Sequence, residues 1–139
     1  MIEFHFKSEF VIHNKSEYAD WINRVIVSEG FVVGQIDYIF CTDDYLLELN
    51  QEYLNHDTFT DIITFDYKDG KTLSGDIFIS TDRVQENAVK FDVEFLNELR
   101  RVMSHGILHL VGFGDKTKEE KLIMREKEEE KIKMFHVEP

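Results

Sequence analysis

Residues 92–115 read DVEFLNELRRVMSHGILHLVGFGD. Phe95, Leu96, Leu99, Val102 and Met103 recur at helical spacing, which predicts a long helix opening near Asp92. Near its end stand His105 and His109, four residues apart and therefore on one face of the helix, one turn from each other. Gly112 is placed to stop the helix in a left-handed conformation and turn the chain back. Asp115, six residues beyond His109, then supplies a carboxylate beside the two imidazoles. The spacing is the His-xxx-His-xx-Gly-xx-His/Asp of metzincin-type sites. Ile107, Leu108, Leu110 and Val111 surround the pair, and two imidazoles in apolar company without partners would be costly to bury. His105, His109 and Asp115 are thus expected to hold one divalent ion. Three protein ligands leave a fourth position for water, as in catalytic rather than structural zinc sites.

Working outward, Ile2 to Phe6 alternates as a strand, and Asn14 with Glu17 resembles a capping box before a helix carrying Tyr18, Trp21, Ile22 and Val25. Gly30 stands at that helix's C-terminal end. Val32 to Cys41 reads as a strand with Ile36, Tyr38 and Phe40 on one face, and Thr42 and Asp43 cap a helix to about Leu54. Ile62–Tyr67 and Gly75–Ser80 are strands around an Asp69-Gly70 turn, Thr81 caps a helix to about Lys90, and Thr117 with Glu120 opens a charged final helix. The predicted order is β-α-β-α-β-β-α-α-α: an α+β fold, a small mixed sheet covered by helices, with the metal site at the end of a central helix. The 139 residues are expected to form a single domain, 1–139.

Bulk properties narrow the function further. One cysteine, Cys41, excludes a disulfide framework or a Cys-rich zinc knuckle. The N-terminal residues show no basic stretch followed by an apolar one, and no apolar run nears the roughly 20 residues of a membrane span, so a cytoplasmic protein is expected. Net charge is −12; residues 1–115 carry 9 basic and 21 acidic side chains, whereas 116–133 carry 7 and 6. Taken alone, that balance disfavours a broad phosphate-binding surface. Gly106 occupies the place of the general-base Glu in His-Glu-xx-His proteases, which disfavours peptide hydrolysis.

The run His105-Gly-Ile-Leu-His109-Leu-Val-Gly112-Phe113 resembles the His-Gly-x-Leu-His-Leu-x-Gly-Tyr-Asp-His signature of the YbeY family of bacterial endoribonucleases. Leu49-Asn50-Gln51-Glu52-Tyr53 followed by Thr60-Asp61-Ile62-Ile63-Thr64-Phe65, and then Gly75-Asp76-Ile77-Phe78-Ile79, are similar to two further segments of that family. The resemblance implies a metal-dependent, single-strand-specific endoribonuclease that matures the 3′ end of 16S rRNA and acts in ribosome quality control, with rRNA and the small subunit as partners. It implies one zinc ion, with Mn²⁺, Ni²⁺ or Fe²⁺ as alternatives. The chain departs from the family pattern twice. Ungapped, Gly114 falls on the family's Asp and Asp115 on its third ligand, a His; a gap would put Lys116 there, and an ammonium does not coordinate a cation. Leu54 stands where the family has Arg, and His56, two places on, reads either as a phosphate contact and catalytic proton carrier or as a solvated loop residue. Asp61 and Asp76 are candidates for orienting the ligands from behind. Two rival readings are a metal hydrolase of peptides or small phosphoesters, and a non-catalytic ribosome-associated metal protein.

Overall fold

Along the chain run β1 (Ile2–Phe6), α1 (Lys15–Ser28), β2 (Val32–Cys41), α2 (Asp43–Leu54), β3 (Ile62–Asp66), β4 (Thr72–Ser80), α3 (Thr81–Lys90), α4 (Phe95–Val111) and α5 (Lys118–Met134). The computed structural model describes residues 1–54 and 60–135. The strands form one sheet in the order β1-β2-β4-β3. β1, β2 and β4 are parallel, and β3 pairs antiparallel with β4 as the edge strand. Gly70, at φ +60°, makes the turn between β3 and β4.

The mixed sheet is covered by helices on both faces, which alternation along the strands makes possible. Ile36, Tyr38 and Phe40 of β2 point into the main core with Tyr18, Trp21, Ile22 and Val25 of α1 and Leu99, Val102, Met103, Ile107 and Leu110 of α4. Cys41, between them on the other face, packs with Leu46 of α2 and Ile63 of β3. Each large apolar side chain so buried is worth about 1.5–3 kcal/mol. α5 is fastened across the molecule: Trp21 Nε1 donates to the Lys131 carbonyl at 2.7 Å, and Lys131 Nζ lies 2.6 Å from Glu29.

The element order is the expected one, and several boundaries differ for identifiable reasons. Asp92, expected to open the long helix, adopts φ +56°, and the Val93 N–H closes onto the Ala88 carbonyl; α4 therefore starts at Phe95, after an extended Glu94. α3 is capped by Ser80 rather than Thr81, the Ser80 Oγ accepting from the Arg83 N–H at 3.1 Å. Asn14 makes no N-cap bond; its amide instead donates to the Glu17 carboxylate at 2.9 Å. The Thr117–Glu120 capping box is formed in both directions, and Thr42 Oγ1 accepts from Tyr45 N–H at 3.2 Å.

Candidate metal centre

The last two turns of α4 project His105 and His109 side by side, their ring centroids 4.6 Å apart and nearly perpendicular. Gly112, at φ +116°, ends the helix in the left-handed region, with its own N–H on the His109 carbonyl and that of Phe113 on Leu108. The chain then returns with Asp115, whose Oδ2 lies 3.4 Å from His105 Nε2 and 3.3 Å from His109 Nε2. One donor atom from each of the three residues falls within 4.8 Å of the others. Four tetrahedral ligands at about 2.0–2.1 Å stand roughly 3.3 Å apart, so both separations suit a single ion of zinc's size. Two imidazole nitrogens and a carboxylate oxygen fit a divalent cation chemically as well. His109 and Asp115 are 30% and 39% exposed, which leaves one side open to a water or substrate oxygen.

The return loop is held by α5. Glu120 Oε1 accepts the backbone N–H groups of Lys116 and Thr117, at 3.2 and 2.9 Å. A Cβ on Gly114 would collide with that anchored carboxylate, which accounts for glycine there. Gly106 faces the sheet: a Cβ would stand 3.0 Å from both Ile62 Cδ1 and Ile77 Cγ2. The position next to His105 is therefore a packing contact, and a glutamate there has no room.

Behind the pair lies a group of charges that sequence reasoning missed. Glu128 of α5, 3% exposed, sets Oε2 2.5 Å from His105 Nδ1. This contact leaves Nε2 of the ring to face Asp115, the arrangement by which a carboxylate orients and strengthens a metal-binding imidazole. Arg101, one turn before His105, ties Glu128 (3.3 Å) to Glu98 (2.7 Å) and approaches Asp61 (3.8 Å). Burial opposes the Arg101 charge, but the Glu98 hydrogen bond and the charges of Glu128, Glu98 and Asp61 raise its pKa. Asp61 shifts upward because burial outweighs the attraction of Arg101 and His105. Glu128 was legible only as one member of a Met124, Glu128, Lys131 stripe at helical spacing, two of whose three members are charged.

Asp61 thus lies beside the group, as expected. Asp76 does not: it sits on the opposite face of β4, accepting from the Tyr67 hydroxyl at 3.2 Å. His56 falls outside the described residues. A second cluster, Glu3, His5 and Asp37, is an exposed cross-strand arrangement in which His5 Nε2 meets Asp37 Oδ1 at 2.8 Å.

Residues 3–136 match the family model described as Endoribonuclease YbeY. An "Endoribonuclease YbeY" of Flavobacterium johnsoniae is 54% identical over 138 residues, 99% of this chain and 99% of the relative. Another, of Christiangramia forsetii, is 56% identical over 137 residues, covering 99% and 96%. Among solved structures, a solution structure of a Thermotoga maritima protein matches with TM-score 0.66 and 26% identity over 97% of this chain and 89% of that one.

Proposed function

The chain belongs to the endoribonuclease YbeY family, and on that footing we propose that residues 1–139 form one catalytic domain, a metal-dependent endoribonuclease cutting single-stranded RNA. Its proposed work is 16S rRNA 3′-end maturation and ribosome quality control, in the cytoplasm and on the small subunit. The observation that carries this reading is the convergence of His105, His109 and Asp115, half-buried, with one side open. Zinc is the proposed ion, because two imidazoles and a carboxylate within tetrahedral reach suit it best, with Mn²⁺, Ni²⁺ or Fe²⁺ also compatible. When bound, such an ion supplies Lewis acidity toward a phosphate oxygen and acidifies water to near neutral pH.

The protein's own residues do the rest. His105 and His109 offer Nε2 from a rigid helix, which fixes their separation. Asp115 closes the third position and lowers the net charge of the site. Glu128 holds His105 in the tautomer with its proton on Nδ1, and Arg101 keeps Glu128 ionised and in place. Gly106 lets α4 lie close on β3 and β4, so the ligands stand at the edge strand, where a polymer can reach them. His56 is the proposed proton carrier.

The deciding experiment is metal analysis of purified protein together with cleavage of rRNA-derived single strands, repeated on His105→Ala, His109→Ala and Asp115→Ala. We expect near-stoichiometric transition metal and RNA cleavage in the wild type, with both reduced in each variant. Metal-loaded protein that hydrolyses peptides but leaves RNA intact would overturn the assignment. Loss of fold on chelation without any cleavage before it would favour a purely structural ion.

A further inference from the structure

The face of the sheet turned away from α4 carries a cavity that the metal centre does not use. Phe65 lies opposite Asp76 in the β3–β4 register, and Ile63 opposite Phe78, all pointing toward α2. Leu49 and Tyr53, one turn apart on α2, and Tyr67, just beyond β3, complete the lining of about 400 Å³. Tyr53 and Tyr67 are exposed at the rim, 61% and 59%. Phe65 meets Tyr53 and Phe78 edge-on, at 6.0 and 5.8 Å between centroids. Asp76 contributes the cavity's charge. Its Oδ2 accepts from the Tyr67 hydroxyl, and its Oδ1 has no hydrogen-bond partner among the described residues.

The cavity stands directly behind the ligand-bearing part of α4. Gly106 lies over Ile62 and Ile77, and Leu110 over Gly75, which pairs with Asp66 of β3. The floor of the cavity, Phe65 and Asp76, belongs to that same short stretch of β3 and β4. Because β3 is the edge strand, a chain passing the centre can fold one residue over its lip. Lys68 stands on that lip, donating to the Leu110 carbonyl at 2.8 Å and pairing with Asp66 at 3.3 Å.

We propose that this cavity is a base-binding subsite for single-stranded RNA and that it prefers guanine. The proposal rests on the endoribonuclease reading. Aromatic walls accept the flat face of any base by stacking. A carboxylate repels phosphate and accepts only from donors, so the base enters rather than the backbone. Guanine presents two adjacent N–H donors, N1–H and the 2-amino group, which match the two oxygens of Asp76; uracil presents one. Lys68 is the cation placed to meet the phosphate that links this base to the nucleotide at the metal.

The test uses fluorescence anisotropy of labelled RNA hexamers with zinc-loaded protein, on ice and within the first minute of mixing. One hexamer is all uridine and the other carries a single guanosine. We expect the guanosine strand to bind about tenfold tighter, and Tyr53→Ala or Tyr67→Ala to weaken its binding about tenfold, the scale of one lost stacking contact. Asp76→Asn should erase the guanosine preference while leaving all-uridine binding within about twofold. Both tyrosines are exposed, so their variants should melt like the wild type, and melting curves check this. Equal binding of the two strands, or unchanged binding in both tyrosine variants, overturns the subsite. Cleavage of the same strands separates the two claims. Cutting that ignores guanosine and all three substitutions leaves the endoribonuclease reading standing and removes the subsite, whereas no cutting of any RNA removes the reading itself.

Discussion

Replacing Glu128 with alanine should loosen the metal without opening the fold. The Glu128–His105 contact is 2.5 Å long, and the two side chains are only 3% and 15% exposed, so it is a charge-assisted hydrogen bond shielded from water. Losing such a partner behind a metal-binding histidine typically costs about 10–100-fold in affinity, or roughly 1.4–2.7 kcal/mol. The upper half of that range is expected, because nothing else in the described residues meets His105 Nδ1 and the ring becomes free to change tautomer. Arg101 keeps Glu98 at 2.7 Å and Asp61 at 3.8 Å, so its guanidinium stays paired. The cost in stability should therefore stay near the ~1.5–3 kcal/mol of one charged hydrogen bond. Competition with a chromophoric zinc chelator gives the affinity, and thermal melting of the chelated protein gives the stability. Glu128→Gln, which retains an acceptor oxygen, should fall between wild type and alanine, and Glu129→Gln, at an exposed position, should change neither quantity. Folded Glu128→Ala that binds zinc within about twofold of wild type would refute the orienting role.

Gly106→Ala should cost about 1–3 kcal/mol, seen as a lower Tm, because its Cβ would arrive 3.0 Å from Ile62 and Ile77 across a packed helix–sheet contact. Asp115→His restores the ligand type of the family pattern and should shift the ratio of zinc to manganese affinity toward zinc in competition titrations. Burial alone would raise the Glu29 carboxyl, but the hydrogen bonds and charges of Lys131 and Lys127 outweigh it and hold the group below its ordinary 4.5. A carboxyl depressed on folding stabilises above its unfolded value and loses that contribution as pH falls through the folded one. Melting temperature should therefore drop more steeply in wild type than in Glu29→Gln between about pH 4.5 and pH 3. The Cys41 thiol, pushed up to about 12 first by burial and then by Asp82 and Asp43, should resist a thiol reagent at pH 8 until the protein is unfolded.

What the sequence disclosed follows from which interactions are local. The metal-binding face of α4, the Gly112 stop and the return to Asp115 depend on residues within a dozen positions, and all three stand as read. Strand alternation likewise placed Ile36, Tyr38 and Phe40 in the core. The order β1-β2-β4-β3 was out of reach, because pairing of β2 with β4 joins residues about forty apart and leaves no periodic mark. Asp92 looked like a helix opener by residue type, yet the preceding helix takes it for its own C-terminal turn. Glu128 escaped notice for a similar reason: in α5, rich in charges, a buried carboxylate is distinguished from its solvated neighbours only by the imidazole and guanidinium that α4 brings to it.

The acidic balance of the chain, which counted against a nucleic-acid enzyme, takes a different meaning once the charges have positions. Asp61, Glu98, Glu128 and Asp115 all gather around His105, His109 and a single guanidinium, Arg101. Left to themselves, four carboxylates against one cation would repel a phosphate. They instead make a strong field for a divalent ion, and that ion together with Arg101 cancels most of their charge. Much of the local acidity is therefore the holder of the cation that meets the substrate, not a barrier to it. Phosphate attraction in this protein is accordingly concentrated at one loaded position rather than spread over a basic surface. Recognition of the remaining strand must then come chiefly from contacts indifferent to backbone charge, which is the work that stacking on exposed tyrosines and hydrogen bonding to a base edge perform.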